Sequence, residues 1–400
     1  MFSDSRTRNI SAISSRALPG FLQANSGRNT RLPDLVIGSP DRLERIRSFP
    51  IRELKGIPSS RYLMASQSDV AKLANVSFMT VSRVVNGDPR VKSETRERVQ
   101  RAIEELGYYP NSIARALNRQ RTMTIGLILQ KLDFVLSEPY ISHLIYHIEK
   151  ALIPHDYDML IVSGERRNGG DLTLLFKQKK VDGVIILGSQ IGDPRLQALS
   201  ENRYPSVLLH AHSDLPCISC VDVNNYSIIE YFIDYLAARG HRRIGFISGD
   251  LSVLNAYQRL DAYEAYMMKR GLPFGKELVF RGNWSSGSGF EAFLHFNELR
   301  PRPSAVIASN DHMAIGFLKA AYEHQVRIPE EMSLVGIDDI EMSAFTTPKL
   351  TTMRQPMQTI ASAAVETLIG AMGGKDKPAA RIVLEAEPVI RDSCGFFSGA

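Results

Sequence analysis

Residues 66–107 read SQSDVAKLANVSFMTVSRVVNGDPRVKSETRERVQRAIEELG, and the local signals in this stretch agree with one another. Ser66 and Asp69 have the spacing of a capping box, after which Val70, Leu73 and Ala74 lay an apolar stripe at i, i+3 and i+4. A short helix is expected here. Asn75 tolerates the left-handed conformation and can end it, and Ser77 can cap a second helix whose inner face is Val81, Val84 and Val85. Asn86-Gly87-Asp88-Pro89 closes that helix; Ser93 is placed to cap a third, carrying Val99, Ala102, Ile103 and Leu106 and stopped by Gly107. The pattern is a helix-turn-helix with a supporting helix.

Such spacing also occurs in proteins that never touch DNA, so the outward face decides what it is for. Pointing away from the valines are Phe78, Met79, Ser82 and Arg83. Arginine can make bidentate hydrogen bonds to guanine, and apolar tips can meet thymine methyls. The segment Tyr108-Tyr109-Pro110-Asn111-Ser112-Ile113-Ala114-Arg115-Ala116-Leu117-Asn118 follows, with Asn111 able to cap a helix of barely two turns, marginal alone in water. Small Ala114 allows close approach to a groove. Leu117 is either packed inside a linker helix or projects as a wedge that unstacks a base step.

Charge divides along the chain in a way that fits this head. The whole carries +5, but residues 1–63 hold ten Arg and one Lys against five acids, residues 64–121 hold ten basic groups against six acids, and the remainder is net acidic. A polyanion-binding front on a mildly acidic body is the expectation. Residues 1–63 show no sustained apolar period and contain ten Ser and five Pro, so disorder is expected there. Their Arg- and Ser-rich start is open to three readings: a targeting segment, a flexible extension, or sequence upstream of a true initiator at Met64. No window approaches the roughly 18 consecutive apolar residues of a membrane span. Three cysteines, Cys217, Cys220 and Cys394, are too few for a disulfide framework and fit a reducing cytoplasm.

Past Thr122 short apolar runs (TIGLIL, DMLIV, DGVIIL, PSVLL, RIGFIS, SAVIAS, SLVGI) alternate with amphipathic stretches, the rhythm of buried parallel strands covered by helices. Its length suits two Rossmann-like lobes with a ligand cleft between them. No dinucleotide, nucleoside-triphosphate or hydrolase motif occurs, so an enzyme is not expected and no catalytic residue is assigned. His210, His212, Cys217 and Cys220 tempt a zinc reading, with both histidines on one face if the stretch is extended. The spacing matches no standard zinc pattern, and no metal or other cofactor is expected.

SDVAKLANVSFMTVSRVVNGDPRVKSETRERVQRAIEELGYYPNSIARAL (68–117) resembles the DNA-binding head and hinge of the lactose/galactose repressor (LacI/GalR) family of bacterial regulators. The body continues the resemblance to about residue 392 through GHRRIGFISG, Arg259, NWSSGSGF, ASNDHMAIG, IPEEMSLVGIDDI and PKLTTMRQP. The departures are Asn75 where the family usually has Gly, Gln67 where an apolar residue is common, and Asn224-Asn225 where Asp-Asn is common.

The resemblance implies an α/β chain with an all-α head and a two-lobed periplasmic-binding-protein-like effector module. The boundaries expected are head 64–109, hinge and linker 110–121 and effector domain 122–400, with one lobe from 122–223 and 353–386 and the other from 224–352 and 387–400. It makes Phe78 and Met79 the main specificity pair, Arg83 a base reader and Leu117 the intercalated side chain; the DNA-contacting set is completed by Ser77, Thr80, Ser82, Asn86, Asn111 and Ala114. Arg259, Trp284, Asn310, Asp338 and Gln355 are carried over as effector ligands, a set suited to a polyol. Their rival roles are structural: ion pairs for Arg259 and Asp338, loop hydrogen bonds for Asn310 and Gln355, core packing for Trp284.

The function expected is a cytoplasmic, nucleoid-associated repressor. It binds a pseudo-palindromic operator in double-stranded DNA as a homodimer, with a small sugar-like effector changing its affinity through a hinge that folds on DNA. No heptad extension follows Arg391-Asp392-Ser393, so a tetramer-forming coiled coil is not expected. An effector-activated activator or corepressor-dependent repressor uses the same parts, and a sugar-binding protein without a regulatory role would need an export signal and no head.

Overall fold

The computed structural model describes residues 65–109, 121–129, 138–164, 170–374 and 378–397. The expectations for residues 1–63 and for hinge residues Asn111, Ala114 and Leu117 lie outside the described residues. The head begins with α1 (Gln67–Leu73), α2 (Phe78–Val85) and α3 (Ser93–Leu106). Ser66 and Asp69 form the reciprocal capping box, Asn75 turns the chain with a φ of 49°, and Gly107 ends α3 in the left-handed conformation. Ser93 departs from its expected role. It is the first residue of α3, its hydroxyl donates to Glu97 at 3.1 Å, and Lys92 occupies the cap position without a side-chain bond. Val70, Ala71, Ala74, Val81, Val84, Val99 and Ala102 make a small core of their own.

Beyond the head, two parallel sheets carry the body. The first has six strands: β1 (Thr124–Leu129), β2 (Asp158–Ser163), β3 (Gly183–Leu187), β4 (Ser206–Leu209), β5 (Ile218–Val223) and β11 (Arg381–Leu384), in spatial order β11-β5-β4-β3-β1-β2. The second has four: β6 (Ile244–Ser248), β7 (Val279–Arg281), β8 (Ala305–Ala308) and β9 (Ser333–Val335), ordered β7-β6-β8-β9. Along β1 the residues alternate between two cores, Ile125, Leu127 and Leu129 facing one and Ile128 the other. Burial on both faces explains why inner strands such as β1 and β3 read as unbroken apolar runs.

Helices α4 (Pro139–Leu152) and α11 (Met357–Met372) pack together on one face of the six-stranded sheet, and α5 (Thr173–Lys177) and α6 (Pro194–Glu201) follow β2 and β3. The four-stranded sheet is covered by α7 (Asn225–Ala238) and α8 (Leu254–Lys269), and by α9 (Ser286–Glu298) and α10 (Asp311–Glu323). Glycines let α9 and α10 meet backbone to backbone: a Cβ on Gly289 would fall 1.9 Å from the Met313 carbonyl oxygen, and one on Gly316 1.8 Å from that of Ser286. The chain leaves the first sheet after β5 and returns through β10 (Thr352–Arg354). It crosses again between β11 and β12 (Glu387–Val389), where β10 and β12 pair antiparallel. The carboxyl ends of strands from both sheets open on the space between them, the usual position of a ligand crevice in parallel α/β folds.

Candidate DNA-reading face and ligand cleft

Helix α2 presents its polar and apolar ends differently. Its amino end is fastened by Ser77, whose hydroxyl accepts from the Thr80 N–H at 3.1 Å and lies 2.9 Å from the Thr80 hydroxyl. Its carboxyl end is tied by Asn86 Nδ2 donating to the Ser82 carbonyl at 2.8 Å. Between these ties Phe78 and Met79 are 57% and 59% exposed, and the exposed Arg83 guanidinium makes no hydrogen bond or ion pair among the described residues. Two large apolar side chains in the first turn and an arginine in the last are what a groove-reading helix offers. The first turn suits backbone phosphates, the side chains base edges.

In the body a cavity of about 450 Å³ gathers residues that are far apart in the chain, among them Arg259, Trp284, Asn310, Asp338 and Gln355. All five residues carried over as effector ligands thus share one wall system. Arg259, on α8, is 2% exposed; its Nε donates to Asn225 Oδ1 at 2.8 Å and its Nη1 to the Ser309 carbonyl. Asn225 therefore aims the guanidinium. Trp284 holds a φ of 73°, and its ring covers Gly249 so closely that a Cβ there would sit 2.1 Å from it. The Arg259 guanidinium carbon is 5.9 Å from the indole centroid.

Asn310 caps α10, accepting from the Met313 N–H at 2.9 Å and donating to the Trp284 carbonyl at 3.0 Å. Its amide is committed to shaping the wall. Asp338, at a φ of 132°, accepts from Gln355 Nε2 at 2.6 Å; Gln355 Oε1 accepts from the Tyr140 hydroxyl at 3.2 Å, and that hydroxyl lies 2.8 Å from His210 Nε2. Burial and then the Asp311 carboxylate push Asp338 well above the usual carboxylate range, with Arg259 pulling the other way. Burial lowers the Arg259 pKa, while Asp338 raises it. The cavity places a guanidinium, a carboxylate, an amide and an indole face within reach of one small molecule.

Glu138, Tyr140, His210 and Asn283 also line the cavity, and sequence reasoning did not assign them to it. The zinc reading treats His210 only as a metal ligand beside His212. The extended stretch that would align the two ends at Leu209, because His210 has a φ of 53°. His210 turns to Tyr140, whereas His212 pairs with Asp214 at 3.1 Å on the surface. Cys217 and Cys220 are free thiols, and among the described residues no group of three or more His, Cys, Asp or Glu side chains is placed to hold a metal. Nor, among the described residues, is any helix long and apolar enough to cross a membrane.

Residues 67–111 match the bacterial regulatory proteins of the lacI family, and residues 233–394 match the periplasmic binding protein-like domain. The ribose operon repressor of Escherichia coli strain K12 is 33% identical over 314 residues, 76% of this chain and 92% of that protein. A solved lac repressor dimer bound to operator and the anti-inducer ONPF superposes with a TM-score of 0.74 at 27% identity, over 82% of this chain and 98% of that one. A CelR–cellobiose complex does so with a TM-score of 0.63 at 29% identity, over 82% and 99%. The class defined by the head and the two-sheet body is that of a ligand-responsive DNA-binding regulator. The chain belongs to the lacI family of bacterial regulatory proteins and acts in transcription regulation, not as an enzyme.

Proposed function

We propose that the protein is a cytoplasmic repressor that binds a two-fold symmetric operator as a homodimer and is switched by a small uncharged polyol in the cleft. The observation that carries this reading is the convergence of Arg259, Trp284, Asp338 and Gln355 on one cavity. Arg259 grips one hydroxyl through a charge-assisted bond, Asp338, held by Gln355, bonds its neighbour, and the Trp284 face covers the apolar side of a sugar ring. Asn310 acts through Trp284, whose carbonyl it holds. The cellobiose and ONPF complexes of the similar regulators support a sugar-like ligand.

On DNA, Phe78, Met79, Ser82 and Arg83 read bases, Ser77, Thr80 and Asn86 fix and flank the reading helix, and Asn111, Ala114 and Leu117 belong to a hinge that folds against the duplex. The head is 64–109, the hinge 110–121 and the effector domain 122–400, its lobes divided at 223/224, 352/353 and 386/387. Two heads on one symmetric site follow from the limited surface that one such module buries. In this reading movement of the lobes changes the free energy of folding the hinges, so effector and operator affinities are coupled reciprocally.

Selection of genomic fragments by the purified protein, with and without a panel of neutral sugars, tests both halves. One fragment class released by one sugar is the expected result, with Asp338→Ala retaining the fragment and losing the release. Absence of any preferred fragment removes the DNA reading; normal release from Asp338→Ala removes Asp338 from the site.

A further inference from the structure

Two side chains outside the five expected effector ligands meet across the cleft. Glu138 stands immediately before α4, on the lobe of the six-stranded sheet, and His312 is the second residue of α10 on the other lobe. His312 Nδ1 lies 2.7 Å from Glu138 Oε1. The Glu138 side chain is 7% exposed and lines the cavity. A carboxylate has more acceptor positions than the one His312 occupies, and the space in front of Glu138 is the ligand cavity.

The surroundings of His312 leave Glu138 as its electrostatic partner. Asp311, adjacent in sequence, is turned away: it accepts from the Thr352 hydroxyl and from the Ile340 N–H at 3.0 Å. Asp338 feels Glu138 as a like charge on the same cavity wall. The lobes also touch where the Ile191 N–H donates to the Ser252 carbonyl at 3.0 Å, a contact with no titratable group.

We propose that Glu138 is a ligand-facing acceptor of the cleft and that His312 is its positioning residue, the pair forming a proton-dependent tie that draws the two lobes together over a bound polyol. The inference rests on the reading of the cleft as the effector site and adds the group that couples ligand, proton and lobe position. Its hydrogen bond with Glu138 raises His312 above the ordinary imidazole range, against the opposing effect of burial. When the lobes part, His312 loses Glu138 and returns toward its usual pKa of about 6.5. Closure therefore takes up a proton. The tie is complete below about pH 6.5 and is lost as pH rises through the raised value.

The only tryptophan of the chain, Trp284, lies in the cavity wall and reports on the cleft without a label. In the full-length protein, Trp284 emission is followed from about pH 5.5 to 9 without ligand, then titrated with D-ribose and with cellobiose at about pH 6 and pH 8.5. The expected emission step has a midpoint above the ordinary imidazole range. It disappears in His312→Gln and in Glu138→Gln, and His312→Lys, with a charge that persists through this range, holds the low-pH emission throughout. A sugar that binds should bind more tightly at the lower pH, with that difference lost in His312→Gln. An emission step of unchanged midpoint and amplitude in His312→Gln overturns the proposal, as does a wild-type protein with no step. Failure of both sugars to bind counts against the effector reading alone, because the ligand-free titration judges the tie separately. Far-ultraviolet circular dichroism of each variant separates loss of the tie from loss of the fold.

Discussion

The head and the cleft solve recognition in opposite ways. On α2 the proposed reading side chains stand in water, with Phe78 and Met79 more than half exposed and held only by the helix beneath them. In the cleft the proposed recognition groups are almost sealed: Arg259, Asp338 and Gln355 are buried, each fixed by a neighbour drawn from another part of the chain. A partner as large as a duplex brings its own surface and excludes water on contact, so a reading helix need only be oriented. A small polyol must be surrounded, so its site has to assemble polar groups inside the protein and satisfy them in advance.

This contrast sets an order of sensitivity. Removal of Arg259 is the most damaging change, because it strips a buried charge from Asp338 and frees Asn225 and the Ser309 carbonyl; Arg259→Ala should cost about 3 to 5 kcal/mol of stability in urea unfolding. A cost within the range of surface substitutions would show that water already fills that region. Next comes Gly249→Ala. The added methyl meets the Trp284 ring, so the strain of about 1 to 3 kcal/mol should appear as weakened sugar binding with operator affinity preserved. An unchanged sugar affinity would remove Trp284 from the ligand wall.

Arg83→Ala touches no packing, so its effect should fall on DNA alone. A loss of about 1 to 3 kcal/mol at the operator is expected, with relaxed base preference and unchanged thermal stability. Equal losses on operator and random DNA would make Arg83 a phosphate contact. The smallest effect is that of Ser66→Ala, which removes the cap bond to the Asp69 N–H and should lower the stability of the head by about 1 kcal/mol. Should Ser66→Ala leave the head as stable as before, the cap bond would not be what holds the start of α1.

Local signals carried the head. The capping box, the left-handed Asn75 and the valine stripe each depend on a few adjacent residues, and so were legible without coordinates. Ser93 was misread as a cap because a serine beside the start of a helix fits either the cap or the first turn. Only its bond to Glu97 distinguishes them. The apolar runs marked most of the strands. Strand β5, ISCVDV, was missed because its cysteine and aspartate broke the apolar pattern, and the same polarity drew attention to a metal reading.

Sequence alone therefore determined where the helices of the head begin and turn, which runs become buried strands, and, through resemblance, which five residues to look for in the body. Tertiary structure decided that those five face one cavity and that Asn310 serves the wall. It also brought Tyr140 and His210 to Gln355, and paired Glu138 with His312 across 174 positions of chain. The reason is physical: helix caps and strand periods are set by interactions among near neighbours. The partner of a buried charge is chosen by how two sheets meet, and no local pattern encodes that distance.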